Sequence, residues 1–135
     1  MGALTLYLWV AIGGAIGSVA RFALGNAMIM ALGADFPWGT LLINVLGSFV
    51  ISFFGMLTGM HARFPVSAEA RIFVTVGLCG GFTTFSAFSL QTVELVRNGN
   101  PGRAALYVAL SAALCITACA VGFAWAAALN GPRQG

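Results

Sequence analysis

The chain has 135 residues, of which 60% are hydrophobic and 7% charged, with a mean hydropathy of +0.98 and a net charge of +3. A water-soluble domain usually carries about 25% charge, so a soluble enzyme and a disordered tail are excluded. The six basic residues are all arginine and are scattered, which excludes the basic patch that a nucleic-acid binder needs.

Apolar stretches long enough to cross a bilayer core as helix, about 20 residues each, recur four times. Residues 4–31 read as the first span, with Arg21 in its later part. No basic region precedes it, so it reads as a retained span and not as a cleaved signal. A short turn with Asp35 and Pro37 follows, and residues 38–60 read as span two. The connection over 61–70 holds His61, Arg63, Pro65 and Glu69. Span three reads as 71–96, the turn RNGNPGR fills 97–103, and span four reads as 104–129 before a tail with Arg133. Residues 1–135 therefore make one all-α, four-span integral membrane domain, with no soluble domain for chemistry in water. Tyr7, Trp9, Trp38 and Trp125 lie near span ends, where interfacial aromatics belong. Cys79, Cys115 and Cys119 are odd in number and lie in apolar stretches, so they read as small buried side chains and not as a disulfide or zinc framework. Glu94, within a turn of Arg97, reads as a surface partner of that arginine.

An even span number puts both termini on one side, together with Arg63, Arg71 and Arg133. The other side holds Arg97, Arg103 and, by snorkelling, Arg21. Three against three leaves no positive-inside bias. One reading is a fixed orientation set by finer details. The other is dual topology, in which chains insert both ways and pair as an antiparallel homodimer. Four spans are thin for enclosing a pathway, and such a dimer supplies the equivalent of an inverted repeat.

Span three is the weakest as a helix. Gly80-Gly81 and Thr83-Thr84 lie near its middle, and glycine pairs and competing hydroxyls both weaken helices. One reading is a small-residue packing notch. The other is a helix broken near mid-membrane, whose freed carbonyls line an ion site. Oxygen donors without an acid suit a hard monovalent cation. Phe85 and Phe88 share a helical face. They read either as packing or as ring edges, which are electropositive and can stabilise an anion. Ser86 and Ser89 run beside them. Thr40, Asn44, Ser48 and Ser52 form a stripe at spacing four on span two, and Tyr107, Ser111 and Cys115 form another on span four. Asn44 reads as interhelical glue or as a pathway ligand. Uncharged donors without a central acid point to a small anion. A cation pathway wants acidic rings or carbonyl dipoles along its length.

These residues resemble the Fluc (also called CrcB) family of fluoride channels. The resemblance rests on GGFTTFSAFS at 80–89, WGTLLINVLGSF at 38–49 and the glycines Gly13, Gly14 and Gly17 ahead of Arg21. It implies an antiparallel, dual-topology homodimer with two pores in a bacterial cytoplasmic membrane, passing fluoride outward without a protein partner. It also implies that Phe85 and Phe88 are pore phenylalanines, that Asn44 and Thr40 line the pore, and that Tyr107 and Ser111 form a polar track. Ser86 and Ser89 extend that track, and Arg21 stands near the entrance. A structural sodium ion would be held by the backbone carbonyls of Gly80 and Thr83. Three positions depart from the family pattern: Ala87 replaces a threonine, Gln91 a glutamate, and Cys115 a hydroxyl residue. The polar track is therefore expected to be thinner. Two other functions fit a four-span chain. One is a small multidrug-type exchanger, disfavoured by the lack of a carboxylate in span one. The other is a non-transporting scaffold subunit.

Overall fold

The computed structural model describes residues 2–59 and 62–131. Met60, His61 and Arg133 lie outside the described residues. Helix α1 (Ala3–Leu32) is 30 residues long, which at about 1.5 Å per residue exceeds the bilayer core. It stops at Gly33, whose N–H still bonds Ile29 O while its φ of 81° turns the following chain out of the helix. Helix α2 (Trp38–Leu57) follows a turn in which Phe36 packs on Trp38. It ends three residues before the expected position 60. The Thr58 hydroxyl donates to Phe54 O at 2.7 Å, sharing that carbonyl with the Thr58 N–H at 3.1 Å in the last turn.

The third span, Ala68–Arg97, is a composite. Helix α3 (Ala68–Ile72) starts earlier than expected, because Ser67 Oγ accepts from Ala70 N–H as an N-cap. Phe73–Leu78 is π-helical, and the N–H of Cys79 reaches five residues back to Val74 O. Helix α4 (Cys79–Phe82) is one turn long. Thr83 and Thr84 are extended, and helix α5 (Phe85–Arg97) resumes after them. Gly99, at φ 78°, turns the chain into helix α6 (Pro101–Asn130), which has proline in its first turn. All four spans are long and apolar enough to cross a membrane.

Two helix pairings hold the bundle. Helix α2 packs most extensively on α6. A Cβ on Gly122 would come 2.7 Å from Phe49 O, so only glycine allows that approach. Trp125 of α6 closes over Phe49 and Phe53 of α2. Helix α1 packs on the π-helical stretch and on α4. There a Cβ on Gly13 would stand 2.6 Å from Phe73 O, and one on Gly77 3.0 Å from Gly13 Cα. Backbone meets backbone, as small residues permit between membrane helices. Asn130, at the end of α6, donates to Met56 O at 2.9 Å and accepts from Arg63 N–H at 3.1 Å, tying down the second loop.

Candidate functional site

The interruption between α4 and α5 is organised by one side chain. The Asn44 amide donates to Thr84 O at 3.1 Å and accepts from Thr84 N–H at 2.8 Å. It replaces the two bonds that Thr84 would make in a continuous helix. Thr84 then serves as N-cap of α5, its Oγ1 accepting from Ala87 N–H at 3.1 Å. Two carbonyls lose their helical donors as a result. Thr84 N–H would otherwise bond Gly80 O, and Ala87 N–H would bond Thr83 O. Gly47 makes room for this arrangement, because a Cβ there would run into the Thr83 side chain.

Beside the interruption lies a cleft of about 590 Å³, called here the narrow cleft for its slightly smaller volume. Asn44, Thr83, Phe85, Phe88 and Ser111 line it, together with Cys115, and no charged residue does. The Phe85 and Phe88 rings are 5.3 Å apart and tilted by 48°. Phe85 is 78% exposed, so a single chain does not enclose its ring. The other hydroxyls along this region are committed to backbone: Ser48 to Asn44 O at 2.7 Å, Ser89 to Phe85 O at 2.9 Å, and Thr83 to Cys79 O at 2.9 Å. Ser111 Oγ differs. Among the described residues it is the buried side-chain polar atom without a partner. A free O–H in an uncharged cleft is a donor available to a small anion.

A second cleft of about 620 Å³, called here the wide cleft for its slightly larger volume, opens on the other side of Thr84. It carries Arg21, Arg103, Asp35 and Glu94, so its formal charges cancel. Thr40 and Gln91 also line it. Thr84 is the one lining residue common to both clefts. The wall between them includes Tyr107, which is fully buried. Its ring lies 5.1 Å from that of Phe88 and 5.5 Å, edge-on, from that of Phe36. Its hydroxyl donates to Gln91 Oε1 at 2.9 Å.

Residues 8–123 match the family described as "CrcB-like protein, Camphor Resistance (CrcB)". The chain belongs to the CrcB-like family. A curated relative from Methylocella silvestris, named "Fluoride-specific ion channel FluC", is 53% identical over 92% of this chain and 95% of its own length. A relative of the same name from Opitutus terrae is 51% identical over 94% of this chain and 96% of its own. One from Thermus thermophilus is 48% identical over 75% and 78%. With four membrane-spanning segments, this CrcB-like chain is a multi-pass membrane protein.

Within the CrcB-like chain, the sequence-derived residues fall into three groups. Asn44, Phe85, Phe88, Ser111, Gly80 and Thr83 meet at the narrow cleft, and Thr40 and Arg21 line the wide one. Tyr107 stands in the wall between. Ser86 and Ser89 line neither cleft; Ser86 Oγ lies 3.2 Å from Thr84 Oγ1. Glu94, read from the sequence as a partner of Arg97, lines the wide cleft. Sequence reasoning marked Thr84 only as a hydroxyl that weakens the helix and missed its role as N-cap and partner of Asn44, and it missed Gly47 and the Gln91 contact. A threonine three residues before Ala87, next to a weak helical turn, carries the N-cap signal for Thr84. Nothing local marks the other two.

Proposed function

We propose that this chain is a fluoride-selective channel that lets fluoride leave the cell passively across the bacterial inner membrane. The observation that carries this reading is the uncharged narrow cleft, lined both by a phenyl pair and by Ser111, whose hydroxyl is buried and unpartnered. Fluoride is small and costly to dehydrate, so close O–H and N–H donors and ring edges are the groups that replace its water. The second N–H of the Asn44 amide, beyond the one given to Thr84 O, is such a donor. Fixed arginines in the cleft would hold the anion too tightly to release it. The relatives named as fluoride-specific channels support the same assignment.

The working unit is an antiparallel, dual-topology homodimer with two pores and the interruption of span three at mid-membrane. The exposure of Phe85 beside open carbonyls supports this, because polar backbone at membrane depth needs protein cover. The carbonyl oxygens of Gly80 and Thr83 fit a sodium ion. They are hard, neutral donors without helical partners, and Gly80 has open space around it. When bound, that ion supplies a fixed positive charge at the dimer centre. Arg21 draws fluoride into the wide cleft, and Thr40, Tyr107 and Ser111 continue the donor path. Transport requires no bond making, so the chain acts as a channel and not as an enzyme.

The test is fluoride release from proteoliposomes read with a fluoride electrode, with chloride as control. Rapid fluoride release with chloride retained is expected. Equal chloride release would refute selectivity. Proton-coupled uptake of organic cations would identify an exchanger, and no flux of any ion would identify a scaffold subunit.

A further inference from the structure

Arg103 stands where helix electrostatics disfavours it. It is the third residue of α6, a 30-residue helix with no acidic residue in its first turn. A helix macrodipole is positive at that end, so a cation there gains nothing from its own helix. Its guanidinium gives one N–H, at 3.4 Å, to the backbone oxygen of Asp35 and not to a carboxylate. A guanidinium has five N–H donors, so most of its hydrogen-bonding capacity is left over. A cation placed at a cost to its helix, with donors to spare, points to a role beyond stability.

The wide cleft shows what that role is. Arg103 of α6 and Arg21 of α1 both line it, and its carboxylates are Asp35 and Glu94. Arg103 is exposed and Arg21 is half-buried, so Arg103 is the first cation an entering anion meets. Without it, one arginine would stand against two carboxylates. We propose that Arg103 is a second capture residue of the wide cleft, whose charge raises the rate at which fluoride enters ahead of Arg21. The inference rests on the channel reading above. It concerns entry and not passage. The field at the mouth of a cleft sets the local concentration of an ion and its rate of arrival, so a net negative lining slows fluoride without closing the path beyond.

The contact with Asp35 O offers a purely structural role instead. It steadies the first loop, where Phe36 packs edge-on against Tyr107. Two substitutions separate field from tie. Glutamine keeps N–H donors for the tie and loses the charge, whereas lysine keeps the charge and loses the planar fork.

Fluoride efflux from proteoliposomes tests this in the parent, Arg103→Gln and Arg103→Lys, with ionic strength set by potassium gluconate. Arg103→Gln is expected to lower efflux about fivefold at an ionic strength of about 10 mM, where the Debye length is about 30 Å, and less than about twofold at about 1 M, where it is about 3 Å. Recovery in high salt also shows that the variant is folded. At fixed ionic strength the deficit should be greatest at low fluoride and close as fluoride saturates, because capture is slowed and passage is not. Arg103→Lys should keep most of the parental rate throughout.

Parental efflux by Arg103→Gln at low ionic strength would overturn the proposal. So would a deficit that is the same at every ionic strength, or one that Arg103→Lys shares in full, because those are what loss of the tie to Asp35 gives. A parent that passes no fluoride would overturn the channel reading itself, and this inference with it.

Discussion

In the proposed channel, Phe85 and Phe88 at the narrow cleft and Ala87 at the wide one bear directly on the passage of an anion. Phe85 and Phe88 supply electropositive ring edges, each contact contributing about 1 kcal/mol. Phe85→Ile or Phe88→Ile keeps the bulk and removes the edge. Each is expected to lower fluoride efflux about fivefold or more, with dimer elution on size exclusion unchanged. Ala87 lines the wide cleft and gives its N–H to Thr84 Oγ1. Ala87→Thr adds a hydroxyl without touching that N–H, and a faster electrode-measured efflux is expected. A rate equal to or below the parent's would show that the track does not lack a donor there. At this scale the sequence was informative about residue type and silent about pairing. Spacing puts Phe85 and Phe88 on one helical face and Ser111 in a polar stripe, but by itself leaves the phenylalanines open between packing and an anion contact. The Tyr107–Gln91 bond joins residues 16 apart on different helices, and no local pattern encodes it.

Among the elements, the third span carries most of the information. Its weakness is legible in Gly80-Gly81 and Thr83-Thr84. What holds the interruption is not, because an asparagine on span two reads equally well as glue or as ligand. In the structure Asn44 answers both backbone groups of Thr84. Asn44→Ala is therefore expected to cost about 2 kcal/mol or more, leaving a donor and an acceptor unpaired in an apolar surround. A denaturant titration in detergent measures this, and loss of fluoride flux should accompany it. The boundaries of the spans were legible to within a few residues. The misses at Thr58 and Ser67 come from hydroxyls that cap helix ends in ways hydropathy does not report. The π-helical stretch Phe73–Leu78 had no signal of its own. Its sequence, FVTVGL, would serve as ordinary helix, and its backbone is fixed by contact with Gly13 of another span.

For the molecule as a whole, the balanced arginines are the feature with the widest reach. If orientation is undecided in the single chain, a small added charge should decide it. Two lysines added near Arg63 bias one orientation, and two added near Arg97 bias the other. Each biased chain alone is expected to abolish fluoride resistance in cells, and co-expression of the two should restore it. Full activity of one biased chain would contradict the antiparallel assembly. Fold class and span number were legible at this scale because a bilayer imposes them on composition. A surface for a second copy was not, because lipid-facing and partner-facing apolar surfaces have the same chemistry.

The stretch Phe73–Leu78 has one more consequence. One surplus residue in a helical turn rotates everything after it by about 100° relative to everything before it. Trimming Val76, which is 55% exposed, would let that turn relax to ordinary helix. The phenyl pair would then swing away from its cleft while every side chain in that pair stayed chemically intact. A single-codon deletion there is expected to be silent in membrane insertion assays and fatal to fluoride tolerance. This segment therefore works as an alignment collar, and chains that keep the aromatic motif but differ in length upstream of it should aim it differently.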